Sequence, residues 1–157
     1  MDSRWIILGL CLVVAIVQGR DRTESDIGDL MRLLKSSSDD YKNLKSLYDN
    51  ENLRRDDRQE KLNEILLRQS QDVQDIFDMK MAYEDAVDAM HEQEFDSRLS
   101  TASPAQQKYF DEVRKLRNDM TLTVSDFKAQ MKKLVRQFKK NGKRMSKEMG
   151  LSAEESH

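Results

Sequence analysis

Ser103-Pro104-Ala105-Gln106-Gln107, followed by Leu116-Arg117-Asn118-Asp119-Met120-Thr121-Leu122-Thr123, is the stretch that decides the fold. Ser103 can cap a helix that has Pro104 at its first position and Gln106 at its third. Asn118-Asp119 then makes a polar turn. Thr123 can cap a second helix, with Asp126 three residues on and Leu122 placed to staple onto Phe127. The stretch predicts helix, Asn/Asp turn, Leu, helix.

Moving 69 residues towards the N-terminus finds the same plan. The shift pairs Tyr41 with Phe110, Leu44 with Val113, Leu62 with Met131, Ile65 with Leu134 and Leu66 with Val135. Leu47, Leu53 and Asp57 meet Leu116, Leu122 and Asp126, so those three pairs are identical. Asn50 meets Asp119. Arg54 and Arg58 stand at the places of Thr123 and Phe127, so the first copy has the poorer cap. The competing reading is that two unrelated amphipathic helix pairs align about as well.

From Ile27 to Met90, apolar residues recur in steps of three and four, the spacing of one helix face. They include Ile27, Leu30, Leu34, Tyr41, Leu44, Tyr48, Leu62, Ile65, Ile76, Met79, Tyr83, Ala86 and Met90. Polar breaks fall at Ser36–Asp40 and Asp49–Asn52, where short side chains can bond free backbone N–H groups. The last helix should stop near Asn141-Gly142, since Gly suits a C-cap. One Pro, five Gly and 6% aromatics argue against a turn-rich all-β fold. The expectation is an all-α bundle of about six helices, with two related helix–turn–helix halves as the arrangement the shift suggests. It divides into a signal peptide at 1–19, an N-terminal helical segment at 20–37, a helical domain at 38–141 and a basic flexible tail at 142–157.

The signal rests on Arg4 and the apolar run from Trp5 to Val17, then Gln18-Gly19. The run is shorter than the roughly 20 residues that span a bilayer. A basic residue, a short apolar core and a small residue after it are the parts of a secretory signal. Cleavage after Gly19 removes Trp5 and the single Cys11. A secreted, extracellular chain without Cys then holds itself by burial alone.

The turn and cap motifs also carry a resemblance. Leu47-Tyr48-Asp49-Asn50-Glu51-Asn52-Leu53, with Ser103–Gln107 and Leu116–Thr123, resembles the SXP/RAL family of secreted nematode proteins, a group built on a domain of unknown function. The matching stretch is about residues 38–138, and Arg54 departs from the Thr usual there. The resemblance implies a secreted, all-helical, non-enzymatic nematode protein, often antigenic, with no catalytic residues to carry over.

No motif for chemistry is expected to act. His91 lacks the second His of a zinc-binding helix. Gly-x-Ser-x-Gly and phosphate-cradling Gly-rich loops are absent. Asp49-Asn50-Glu51 superficially echoes a calcium loop, but Arg54 replaces the Gly at its sixth position and Leu53 an oxygen ligand. The expectation is no enzyme, no metal site and no cofactor.

Charge is the remaining signal. The net charge of -2 hides two poles. Asp72–Asp96 holds nine acids against Lys80, and Lys128–Lys147 holds nine bases and no acid. Such runs are ordinarily solvated helix faces, but they also suit an external partner. Lys128, Lys132, Arg136, Lys139, Lys140 and Lys143 are therefore the candidate face for an anionic surface or protein. Self-association through the two poles is the other use, and nucleic acid is not expected. Phe77, Met79, Met81, Tyr83 and Met90 would make an adaptable apolar lining. The favoured function is a secreted non-catalytic interaction protein acting at the host or extracellular interface. The alternative is a carrier whose lipid ligand is a fatty acid or retinoid.

Overall fold

The computed structural model describes residues 21–148, leaving aside the side chains of 98 and 142–148. The proposed signal at 1–19, its cleavage point before Arg20 and the end of the tail lie outside the described residues. The described residues form six helices: α1 (Arg22–Leu33), α2 (Asp39–Asp49), α3 (Arg55–Leu66), α4 (Gln71–Leu99), α5 (Pro104–Asn118) and α6 (Val124–Glu148). Among the described residues there is no strand, and the all-α bundle expected from the sequence is what forms. One isolated antiparallel bridge joins Arg54 to Thr123.

Local chemistry sets the helix starts. The Ser38 hydroxyl accepts from the Tyr41 N–H and opens α2. Ser103 and Gln106 make the reciprocal capping box that opens α5, with Pro104 in the first turn. Thr123 Oγ1 accepts from the Asp126 N–H at 3.1 Å and opens α6. Arg54 offers α3 no such side-chain acceptor.

Two apolar clusters hold the bundle. In the first, Leu44 and Leu47 of α2 and Leu62 and Ile65 of α3 meet Ile27 and Leu30 of α1 and Phe77 of α4. Ile27 and Leu30 of α1 are fully buried in the same core as α2 and α3. In the second, Tyr109, Phe110 and Val113 of α5 meet Phe127 and Met131 of α6, with Phe95 and Leu99 of α4 packed against them. Tyr109 stacks on Phe138 at 4.1 Å between ring centroids, and Phe95 meets Phe110 edge-on at 4.8 Å. The 29-residue α4 thus serves one cluster with its first turns and the other with its last.

Two expectations need correction. α6 does not stop at Asn141-Gly142 but continues to Glu148, so the basic run is helical well past residue 142. One interior Gly costs a helix only about 1 kcal/mol, and the Lys, Arg and Met around it favour helix. Periodicity also overstated burial: Tyr48, Ile76, Met79, Tyr83 and Met90 follow the helical spacing but are exposed.

Candidate functional site

The two turns meet back to back, and each supplies what the other's helix lacks. The Arg55 N–H donates to the Leu122 carbonyl at 2.9 Å, and the Val124 N–H donates to the Leu53 carbonyl at 3.3 Å. One residue on, the Asp56 N–H donates to the Met120 carbonyl at 2.9 Å and the Ser125 N–H to the Glu51 carbonyl at 3.0 Å. The four bonds form two pairs, each reciprocal under the 69-residue shift. So are the side-chain turns, in which Asn50 Oδ1 accepts from the Asn52 N–H and Asp119 Oδ1 from the Thr121 N–H, each at 3.1 Å. The first N–H groups of a helix have no partner within it. Here carbonyls of the opposite turn take two from each helix, which lets α3 begin after Arg54 without a capping side chain.

Two buried arginines complete the junction. Arg58 donates to the carbonyls of Leu47 and Tyr48 at the end of α2, at 2.8–3.1 Å. Arg55 donates through Nε to Asp21 Oδ1 at 2.9 Å. It also reaches across to the carbonyls of Arg117 and Asp119 at the end of α5, at 3.0 and 3.1 Å. Its guanidinium lies 4.3 Å from the centre of the Phe127 ring. Arg58 faces the second oxygen of Asp21 at 3.7 Å, and burial pulls its pKa below the usual arginine value. These groups are structural: they close helix ends and tie the halves together. Sequence reading missed them, because buried arginines have the same letter as the exposed ones around them.

Five residues, 50–54 and 119–123, join the helices, and several of their carbonyls are spent on backbone pairing. Among the described residues no group of three or more His, Cys, Asp and Glu side chains is arranged to hold a metal.

On α6 the structure divides the expected anionic-partner face. Lys128 is taken by Glu24 at 3.2 Å and Glu51 at 2.6 Å, and the bond to Glu51 raises its pKa. Lys132, Lys133, Arg136, Lys139 and Lys140 are exposed, and among the described residues none is in an ion pair. The side chain of Lys143 lies outside the described residues. Three acids of α4 are paired with other helices: Asp85 with Arg22, and Glu92 and Asp96 with Arg114. The two poles therefore do not cancel each other.

The apolar set on α4 does not gather around one cavity. Phe77 is buried in the first cluster and Met81 packs beside it, while Met79, Tyr83 and Met90 are 68–71% exposed. The open hollows beside Tyr41 and Lys45, and beside Asn63 and Leu67, are lined by other residues. Among the described residues no helix is long and apolar enough to cross a membrane. No protein-family model matches the chain, and no curated protein or solved structure matches it.

Proposed function

We propose that the chain is a secreted, non-catalytic interaction protein that receives an anionic partner on the exposed face of α6. The observation that carries this reading is the row Lys132, Lys133, Arg136, Lys139 and Lys140, exposed and without an acidic partner among the described residues, on a helix whose other face is anchored by Phe127 and Met131. A fixed helix that presents five cations on one side attracts anions and speeds their encounter. The apolar run at Trp5–Val17 supports the secreted part of the reading. The likeness of the Leu47–Leu53 and Leu116–Thr123 motifs to SXP/RAL proteins supports a place among nematode antigens at the host interface.

Reversing Lys132, Arg136 and Lys139 to Glu tests it. Binding to heparin or to vesicles rich in anionic lipid should fall at least tenfold. The melting temperature should barely move, since exposed charges contribute about 0–1 kcal/mol each. Binding by the unaltered protein should weaken steeply with salt. Unchanged binding in the triple variant would leave the row a solvated face and end the proposal.

A further inference from the structure

The middle of α4 carries an apolar strip that the fold does not use. Ile76, Met79, Tyr83, Ala86 and Met90 stand at spacings of three, four, three and four, which places them within about 80° of arc on a helix turning 100° per residue. Phe77, Met81 and Phe95 lie on the opposite side and pack into the two clusters. All five strip residues are exposed, as are Ala82 and Ala89 beside them. Of the six large apolar side chains exposed among the described residues, four are in this strip. Isolated exposed apolar residues are ordinary, whereas a continuous row marks a contact surface.

We propose that this strip docks an amphipathic helix of another protein, one with apolar residues at the same three-and-four spacing and with Lys or Arg along its edges. The spacing fits a two-helix seam, in which apolar side chains of each helix fill gaps in the other. The small residues Ala82, Ala86 and Ala89 allow a partner helix to come close. Charge fixes the partner's sign. Asp72 falls within the strip's arc and Asp75 about 20° beyond its edge, and both are exposed. That charge opposes a second copy of α4 and an anionic lipid surface alike. The exposed face of α6 in another copy has the right sign but the wrong shape: from 124 to 141 no large apolar side chain is exposed there. The inference rests on the interaction-protein reading above but concerns a different helix and a partner of opposite charge.

The test uses the full chain and a fluorescein-labelled peptide of about three heptads, with Leu at the first and fourth positions and Lys at the flanking ones. Anisotropy titration should show saturable binding. Replacing the peptide's Lys by Glu, or its Leu by Ser, should each weaken it at least tenfold. The variant Met79→Ser/Tyr83→Ser/Met90→Ser should lose tenfold or more with unchanged helicity and melting temperature. Should that variant melt early, Asp72→Lys/Asp75→Lys leaves the strip intact and should weaken the Lys peptide while improving the Glu peptide. No binding by the Lys/Leu peptide, equal binding by the Ser or Glu peptide, or unaltered binding by the variants overturns the proposal. So does sedimentation showing a dimer that the triple Ser variant dissolves, which would make the strip a self-interface. Heparin binding measured on the same samples separates the two readings. Its retention alongside failed peptide binding refutes only the α4 strip, and its loss alone refutes only the α6 face.

Discussion

Arg58 and Phe127 occupy the same place in the two halves of this molecule, 69 residues apart, and both are buried, at 0% and 2% exposure. So do Arg55 and Val124, at 4% and 0%. The first half fills these slots with guanidinium groups that bond carbonyls at the ends of α2 and α5. The second fills them with apolar side chains, Phe127 inside an aromatic cluster and Val124 fully buried. The first half also has α1 laid against it, which brings Asp21 to Arg55; α5 and α6 are instead joined by the far end of α4. The backbone arrangement, with its reciprocal turn bonds, is thus common to both, and the chemistry filling it is not. Turn pairing sets the geometry; what occupies the buried slots can be ionic or apolar, and Arg58 spends Nε and Nη2 on carbonyls while its Nη1, 3.7 Å from Asp21, makes no hydrogen bond.

The largest effects should come from those matched slots. Arg58→Met should cost roughly 3–5 kcal/mol, because it strips the bonds from the Leu47 and Tyr48 carbonyls and leaves Asp21 with one arginine fewer. Phe127→Ala should cost a similar amount, roughly 3–5 kcal/mol, through a cavity in the aromatic cluster and a lost ring beneath Arg55. Urea titration followed by circular dichroism measures both. A loss under about 1 kcal/mol at either site would mean that the two slots are not equivalent in weight, and the comparison would break there.

The contribution of α1 can be separated by pH. Asp26 is buried, and one of its carboxylate oxygens has no hydrogen-bond partner. Burial, with Glu84, Asp29 and Asp21 nearby and Arg22 opposing, pushes its pKa from 3.8 up to about 6. The folded state therefore holds this proton more tightly than the unfolded chain. Below about pH 4 the group is protonated in both states and costs nothing. As pH rises from about 4 to about 6 the unfolded chain ionises first, and stability falls by up to about 3 kcal/mol. Asp26→Asn should remove that loss. It should be the more stable protein at pH 7.5, by about 1–3 kcal/mol, and indistinguishable from the parent near pH 3.5. An equal difference at both pH values would assign the effect to packing instead.

Much of the second half is legible in its letters, because its rules are local. Ser103, Pro104, Gln106, Thr123 and Asp126 act within one helical turn, and each caps the helix it was expected to cap. The 69-residue shift was readable for the same reason. It locates both turns and pairs Arg54 with Thr123, the residues that form the bridge. What the letters hide is direction. Ile76, Met79, Tyr83 and Met90 have the spacing of a core face and are exposed, since periodicity reports that a face exists and not which way it points. The junction was hidden too. Arg55 and Arg58 look like surface residues until distant carbonyls and Asp21 are brought to them by the fold. Of the candidate sites, the basic row on α6 was visible as charge, but the removal of Lys128 by Glu24 and Glu51 needed the tertiary structure.

The smallest expected effect sharpens the comparison at its seam. Thr123 and Arg54 are equivalent residues, each preceding a helix whose first two N–H groups donate to the opposite turn. They differ at the third. In the second half the Asp126 N–H donates to Thr123 Oγ1, which also bonds the Asp126 carboxylate. In the first half the Asp57 N–H donates at 2.8 Å to the carboxylate of its neighbour Asp56, which Arg54 in turn holds. Thr123→Ala should therefore cost about 1 kcal/mol, the usual loss of a capping hydroxyl. Arg54→Ala should change stability by less than about 0.5 kcal/mol, since the N–H keeps its carboxylate and the lost ion pair is exposed. Arg54→Thr should also stay within about 0.5 kcal/mol, because the new hydroxyl competes for a donor already satisfied. A gain of about 1 kcal/mol from Arg54→Thr, seen in the same urea titration, would show that Asp56 is a poor substitute cap and that the first half is the weaker copy.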